Sequence, residues 1–212
     1  MGRVVESIDE RLAGWLVAQP VFFVATAPLA REGRVNCSPK GNRGELVVPD
    51  PTTIAYLDQT GSGVETVAHL RENGRIVIMW AAFEGPPRIV RVHGTGRVVR
   101  LDDPELATRS PSFPAMAAVD DVAQDPMGRP GPPVGARCVV VVHVERVSDS
   151  CGYGVPLLTF AGHRPTMDQW AERKGRPGIA AYQEEHNARS IDGLPGLPGL
   201  PGLPGLASRS LE

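Results

Sequence analysis

Pro20-Val21-Phe22-Phe23-Val24-Ala25-Thr26-Ala27, a proline-led apolar strand, opens the stretch whose reading decides the fold. A glycine turn leads on to Gly33-Arg34-Val35-Asn36-Cys37-Ser38-Pro39-Lys40, and Thr53-Ile54-Ala55-Tyr56-Leu57-Asp58 then runs into Thr60-Gly61-Ser62-Gly63. That turn opens a short amphipathic helix with Val64, Val67, Ala68 and Leu70 on its inner face, and Gly74 is suited to the left-handed stop. Arg75-Ile76-Val77-Ile78-Met79-Trp80, Arg88-Ile89-Val90-Arg91-Val92-His93 and Thr95-Gly96-Arg97-Val98-Val99 follow as two or three more strands. Short β-branched and aromatic runs divided by Gly, Pro and Asp make this a mainly β chain.

Outward from that stretch, Ser7-Ile8-Asp9-Glu10 reads as a capping box for a helix burying Ile8, Leu12, Trp15 and Leu16, which Pro20 ends. Residues 110–136 are rich in Pro and Gly and read as an irregular connection. Arg137-Cys138-Val139-Val140-Val141-Val142-His143-Val144-Glu145-Arg146-Val147 is a long strand that closes the barrel, apolar at first and alternating later. Two helical pieces, Met167–Lys174 and Gly178–Ala188, come next. The body is assigned to residues 1–192, and 193–212, with its repeated Gly-Leu-Pro, to a disordered or polyproline-like tail.

Composition bounds the function. A net charge of −2 gives no reason to expect nucleic acid or an anionic membrane as partner, and no run of about 18 apolar residues suggests a membrane helix. Cys37, Cys138 and Cys151 lack CxxC spacing, which points to a reducing cytoplasm. Only Lys40 and Lys174 are lysines among 22 basic residues, an arginine excess that suggests a GC-rich bacterial source. The five histidines show no paired spacing, so no metal site is expected.

A phosphate dianion is well served by a helix N-terminus, where free N–H groups converge at the positive end of the dipole. Thr60, Gly61, Ser62, Gly63 and Thr66 supply backbone access and hydroxyls at such a place. On the strand Asn36–Lys40, alternation puts Asn36, Ser38 and Lys40 on one face, an amide, a hydroxyl and an ammonium in a row.

This order of segments, over roughly residues 5–150, resembles the pyridoxamine 5'-phosphate oxidase family of flavin-binding proteins. The resemblance implies an FMN-binding split β-barrel with peripheral helices. It implies that the Gly61–Thr66 turn holds the FMN phosphate, and that Asn36, Ser38 and Lys40 run beside the ring and ribityl chain. It further implies a homodimer with the flavin between subunits, and a flavin-dependent oxidoreductase acting on a small organic substrate. Deazaflavin or haem in the same fold, or flavin binding without catalysis, are the alternatives. Relatives carry Arg or Lys in the first turn of the helix, whereas this chain reads Val64-Glu65-Thr66, so the cation is expected from Lys40, Arg43, Arg75 or a second subunit. The loop Ser148–Pro156, with Cys151, lies near the flavin edge in similar sequences. The single His163-Arg164 pair does not match the Arg/His cluster of the enzyme that names the family, so that enzyme's own activity is not expected.

Overall fold

A computed structural model describes residues 2–41, 44–103 and 132–197. In chain order the elements are β1 (Arg3–Val5), α1 (Glu10–Ala18), β2 (Phe22–Thr26), β3 (Asn36–Lys40), β4 (Leu46–Asp50) and β5 (Thr53–Gln59). There follow α2 (Glu65–Asn73), β6 (Arg75–Ala81), β7 (Ile89–Arg100), β8 (Ala136–Ser150) and α3 (Thr166–His186). The strands form one antiparallel sheet in the order β3-β2-β6-β7-β8-β5-β4, with β1 added on β8. Curled on itself, this sheet is a split β-barrel with peripheral helices.

The interior is apolar because alternate residues of each strand point inward. Val24, Ile54, Ile78, Val90, Val92, Val140 and Val142 are fully buried. Burying an aliphatic side chain of this size contributes about 1.5–3 kcal/mol. Phe22 packs edge-on against Tyr56 with ring centroids 5.6 Å apart, and stacks on Trp80 at 6.0 Å. Trp80 is therefore a core residue.

Two sequence expectations change, and two are made more definite. Arg88–His93 and Thr95–Val99 belong to one strand, β7, which shifts register at His93/Gly94 and continues. The capping box does not form: Asp9 is the cap of α1, accepting from the Leu12 amide at 2.7 Å. The two C-terminal helical pieces both form, labelled together α3, and the break between them is at Gly175, whose φ of 66° and ψ of 168° are not helical. Finally, the tail does not begin at residue 193. Residues 187–197 make a tight hairpin in which Ser190 N–H bonds to the Leu194 carbonyl and Gly196 N–H to that of Ala188. Leu197, only 5% exposed, packs with Val64, Val67 and Cys138. A Cβ at position 196 would lie 2.0 Å from the Asn187 carbonyl oxygen, so the close approach requires glycine. Most of 110–136, and 198–212, lie outside the described residues.

Candidate functional site

Among the described residues, strand β3 ends the sheet path and pairs only with β2. Asn36, Ser38 and Lys40 are half-buried on one face, while Cys37 and Pro39 are exposed. Ser38 Oγ donates to Asn36 Oδ1 at 3.3 Å, and Asn36 Nδ2 donates to Thr66 Oγ1 at 3.0 Å. The three residues line a cavity of about 380 Å³ that reaches Gly61, Ser62 and Gly63.

The floor of that cavity holds a charged fork that the sequence reading missed. Asp58 is fully buried, and each of its carboxylate oxygens takes one cation: Lys40 Nζ at 2.5 Å and Arg137 Nε at 2.6 Å. Burial opposes ionisation of Asp58, yet the attraction of Arg137 and Lys40, with their hydrogen bonds, holds its carboxyl below the usual range. Burial likewise works against the charge on Arg137, and Asp58 outweighs it. The neighbouring Cys138 thiol is pushed well up by burial, so it is no nucleophile. The sequence signal was a lone carboxylate inside the apolar run 54–57 and a lone guanidinium at the head of a valine run.

Arg137 also fixes the turn. Its Nη1 donates to the Gly63 carbonyl at 2.8 Å and to Asn187 Oδ1 at 3.0 Å, while Asn187 Nδ2 donates to the Gly61 carbonyl at 3.1 Å. Gln183 Nε2 holds the Thr60 hydroxyl at 2.8 Å. Because a trans peptide points its C=O and N–H in opposite directions, tying the Gly61 carbonyl to Asn187 turns the Ser62 N–H away from Asn187. The Ser62 hydroxyl is exposed and bonded to none of the described residues. It does not cap α2, whose N-cap is Val64 with no side-chain bond.

The start of α2 itself differs from the expected cradle. Thr66 is buried, accepts from Asn36 and is not among the lining residues of that cavity, so its hydroxyl supports β3. Glu65 Oε1 accepts the Ile191 amide at 3.2 Å, and a Cβ at Gly63 would meet its Oε2 at 2.1 Å. The chain's own carboxylate and C-terminal hairpin thus close this helix end. The outer lip of the turn, at Ser62 and Lys40, stays open to both cavities. Of the other cations expected there, Arg75 bonds Asn73 and the Pro28 carbonyl instead, and Arg43 lies outside the described residues.

Beyond that lip the inner cavity meets a second cleft of about 700 Å³, and Lys40, Gly61, Ser62 and Met167 line both. Trp170 and Tyr182 form one wall, edge to face at 5.0 Å. Lys40, Arg164 and Arg173 supply its charged groups, His163 lines it as well, and none of its described lining residues is a carboxylate. Cys151 lies elsewhere, in a groove with Trp15, Arg88 and Asp149. FMN is a phosphate joined to a planar ring by a polar chain. A free amide and hydroxyl beside an ammonium, continuous with a polar strand face and an aromatic wall, fit such a molecule.

Fold and cleft define a split-barrel protein with a two-part cleft on the lip of its barrel. The family model described as pyridoxamine 5'-phosphate oxidase matches residues 8–151. The Aspergillus flavus pyridoxamine 5'-phosphate oxidase family protein ustO is 38% identical over 204 residues, covering 90% of this chain and 76% of its relative. The chain belongs to the pyridoxamine 5'-phosphate oxidase family. Among solved structures, HupZ of Group A Streptococcus is 23% identical with a TM-score of 0.46, covering 66% of this chain and 91% of that one. A pyridoxamine 5'-phosphate oxidase-related, FMN binding protein of Nostoc punctiforme is 16% identical with a TM-score of 0.46, covering 68% and 81%. The A. flavus relative is fungal, so it lends the expected bacterial origin no support. No helix among the described residues is long and apolar enough to cross a membrane.

Proposed function

We propose that this protein is an FMN-dependent oxidoreductase acting on a small organic substrate as a homodimer. The observation that carries the reading is that Ser62, with an N–H and a hydroxyl, and Lys40, with an ammonium, line both cavities. In this reading those three groups hold the phosphate. Asn36 and Ser38 offer an amide and a hydroxyl to the polar chain and ring edge, and Trp170 and Tyr182 keep water from the outer cleft. FMN supplies the redox chemistry when bound, accepting hydride at N5. The residues described bind and orient, and no side chain is assigned as a general base.

The absorption spectrum of the freshly purified protein is the first test. Two flavin bands, or their growth on adding FMN, support the reading. A Soret band would favour haem, with His163 the imidazole that lines the outer cleft. A colourless protein indifferent to FMN overturns the flavin reading, while binding of a deazaflavin in preference to FMN would change the cofactor. Reduction of bound FMN by NAD(P)H, or its reoxidation by candidate acceptors, separates an enzyme from a passive binder. Light scattering should give about twice the chain mass of 22.6 kDa, and a monomer that still binds flavin tightly excludes a shared site.

A further inference from the structure

We infer that Asn187 is a positioning residue for the anion seat: without touching the ligand, it holds the Gly61 peptide so that the Ser62 amide faces the cavity. The inference rests on the phosphate reading of that seat.

Asn187 is fully buried and follows the last turn of α3. Its backbone is pinned from both sides, its N–H on the Gln183 carbonyl at 2.8 Å and its own carbonyl on the Leu197 amide at 3.3 Å. Only the side chain is left to act. Its amide accepts from a guanidinium and donates to a carbonyl at once, a pairing that a carboxylate cannot make because it has no donor. Removing it leaves the Gly61 carbonyl without its partner and frees that peptide to turn over. The turned peptide would present a carbonyl oxygen, with its partial negative charge, where the anion sits. Arg137 grips the next carbonyl, Gly63, and is itself gripped by Asp58, so Asn187 completes a line from the barrel floor to the lip of the cleft. Asn187 lines neither cavity, which places its effect on the seat through the peptide alone.

FMN and riboflavin are titrated against wild type, Asn187→Ala, Asn187→Asp and Ser190→Ala, with a thermal melt of each. Ser190 supports the same hairpin by accepting the Leu194 amide but does not reach the turn. The preference for FMN over riboflavin should fall about tenfold in Asn187→Ala, the loss of about one good hydrogen bond's worth of binding. Asn187→Asp should lose at least as much, and Ser190→Ala should lower the melting temperature while keeping the preference. Equal weakening of both ligands in Asn187→Ala, or of neither, overturns the inference and leaves the flavin reading intact. If wild type takes no flavin, that reading fails by itself. Inorganic phosphate followed through the Ser62 amide resonance then decides: a shift in wild type that vanishes in Asn187→Ala supports positioning. A shift common to both, or absent from wild type, ends it.

Discussion

Asp58 and Arg137 meet at the pairing of β5 with β8, the buried carboxylate taking the guanidinium Nε at 2.6 Å on Oδ2. The other oxygen is already held by Lys40. One charge in the barrel interior therefore sets two cations that line the inner cavity. A carboxylate here is costly to desolvate, and the fork is what makes it tolerable.

Breaking that fork should be expensive. Asp58→Ala leaves Arg137, only 5% exposed, without its counter-charge, and should cost about 3–5 kcal/mol of unfolding free energy. Urea denaturation measures it, and a loss under about 1 kcal/mol, as for an exposed pair, would refute the assigned role.

Acid should act in two steps. His69 is buried, bonded through Nδ1 to the Thr26 hydroxyl at 2.9 Å, with Nε2 unpartnered. Burial lowers its proton affinity against the pull of Asp192, Glu65 and Glu72. The unfolded chain therefore takes this proton first, and stability falls as pH drops below the ordinary value of 6.5. Asp58, held below 3.8, contributes stability that is full above that value and is lost as pH falls through the lower, folded one. His69→Gln should flatten the first slope only. An unchanged slope between pH 7 and 5 in that variant would show that another group is responsible.

Gly63 should be coupled to Glu65. Because an added Cβ meets the Glu65 carboxylate, Gly63→Ala must move that side chain off the Ile191 amide, at about 0.5–1.5 kcal/mol. In Glu65→Ala the same change should cost almost nothing. A double-mutant cycle measures the difference, and additive effects would show that Gly63 answers to something else.

The first Gly-Leu-Pro unit is structural. Leu197→Ala should destabilise by about 2 kcal/mol, the low end for a buried leucine, since it removes a neighbour of Val64 and Val67 at the start of α2. Thermal melts check this, and a change within 0.5 kcal/mol, the usual scale for surface positions, would return the segment to a loose tail.

Local pattern carried much of the fold. Period-2 alternation in 75–81, and the glycine stop at Gly74, whose φ is 72°, depend on neighbours in sequence. The same alternation correctly grouped Asn36, Ser38 and Lys40, because the face of a strand residue is fixed by the pleat. The repeat at 193–197 misled because its composition suits a free tail, while its packing comes from a glycine pressed against Asn187 and a leucine covering α2.

The sequence by itself determined the strands, the glycine turn before a short helix, and the polar face of β3, since each is written in residues within a few positions of one another. Which groups around that turn are tied down was decided only by the tertiary structure. Arg137 and Asn187 stand 74 and 126 residues from the carbonyls they hold. Glu65, the residue that read as a flaw in the seat, is turned to the hairpin by an amide that far along the chain. Hydrogen bonds and charge pairs act over a few ångströms of space, and the distance that matters to them is measured across the fold.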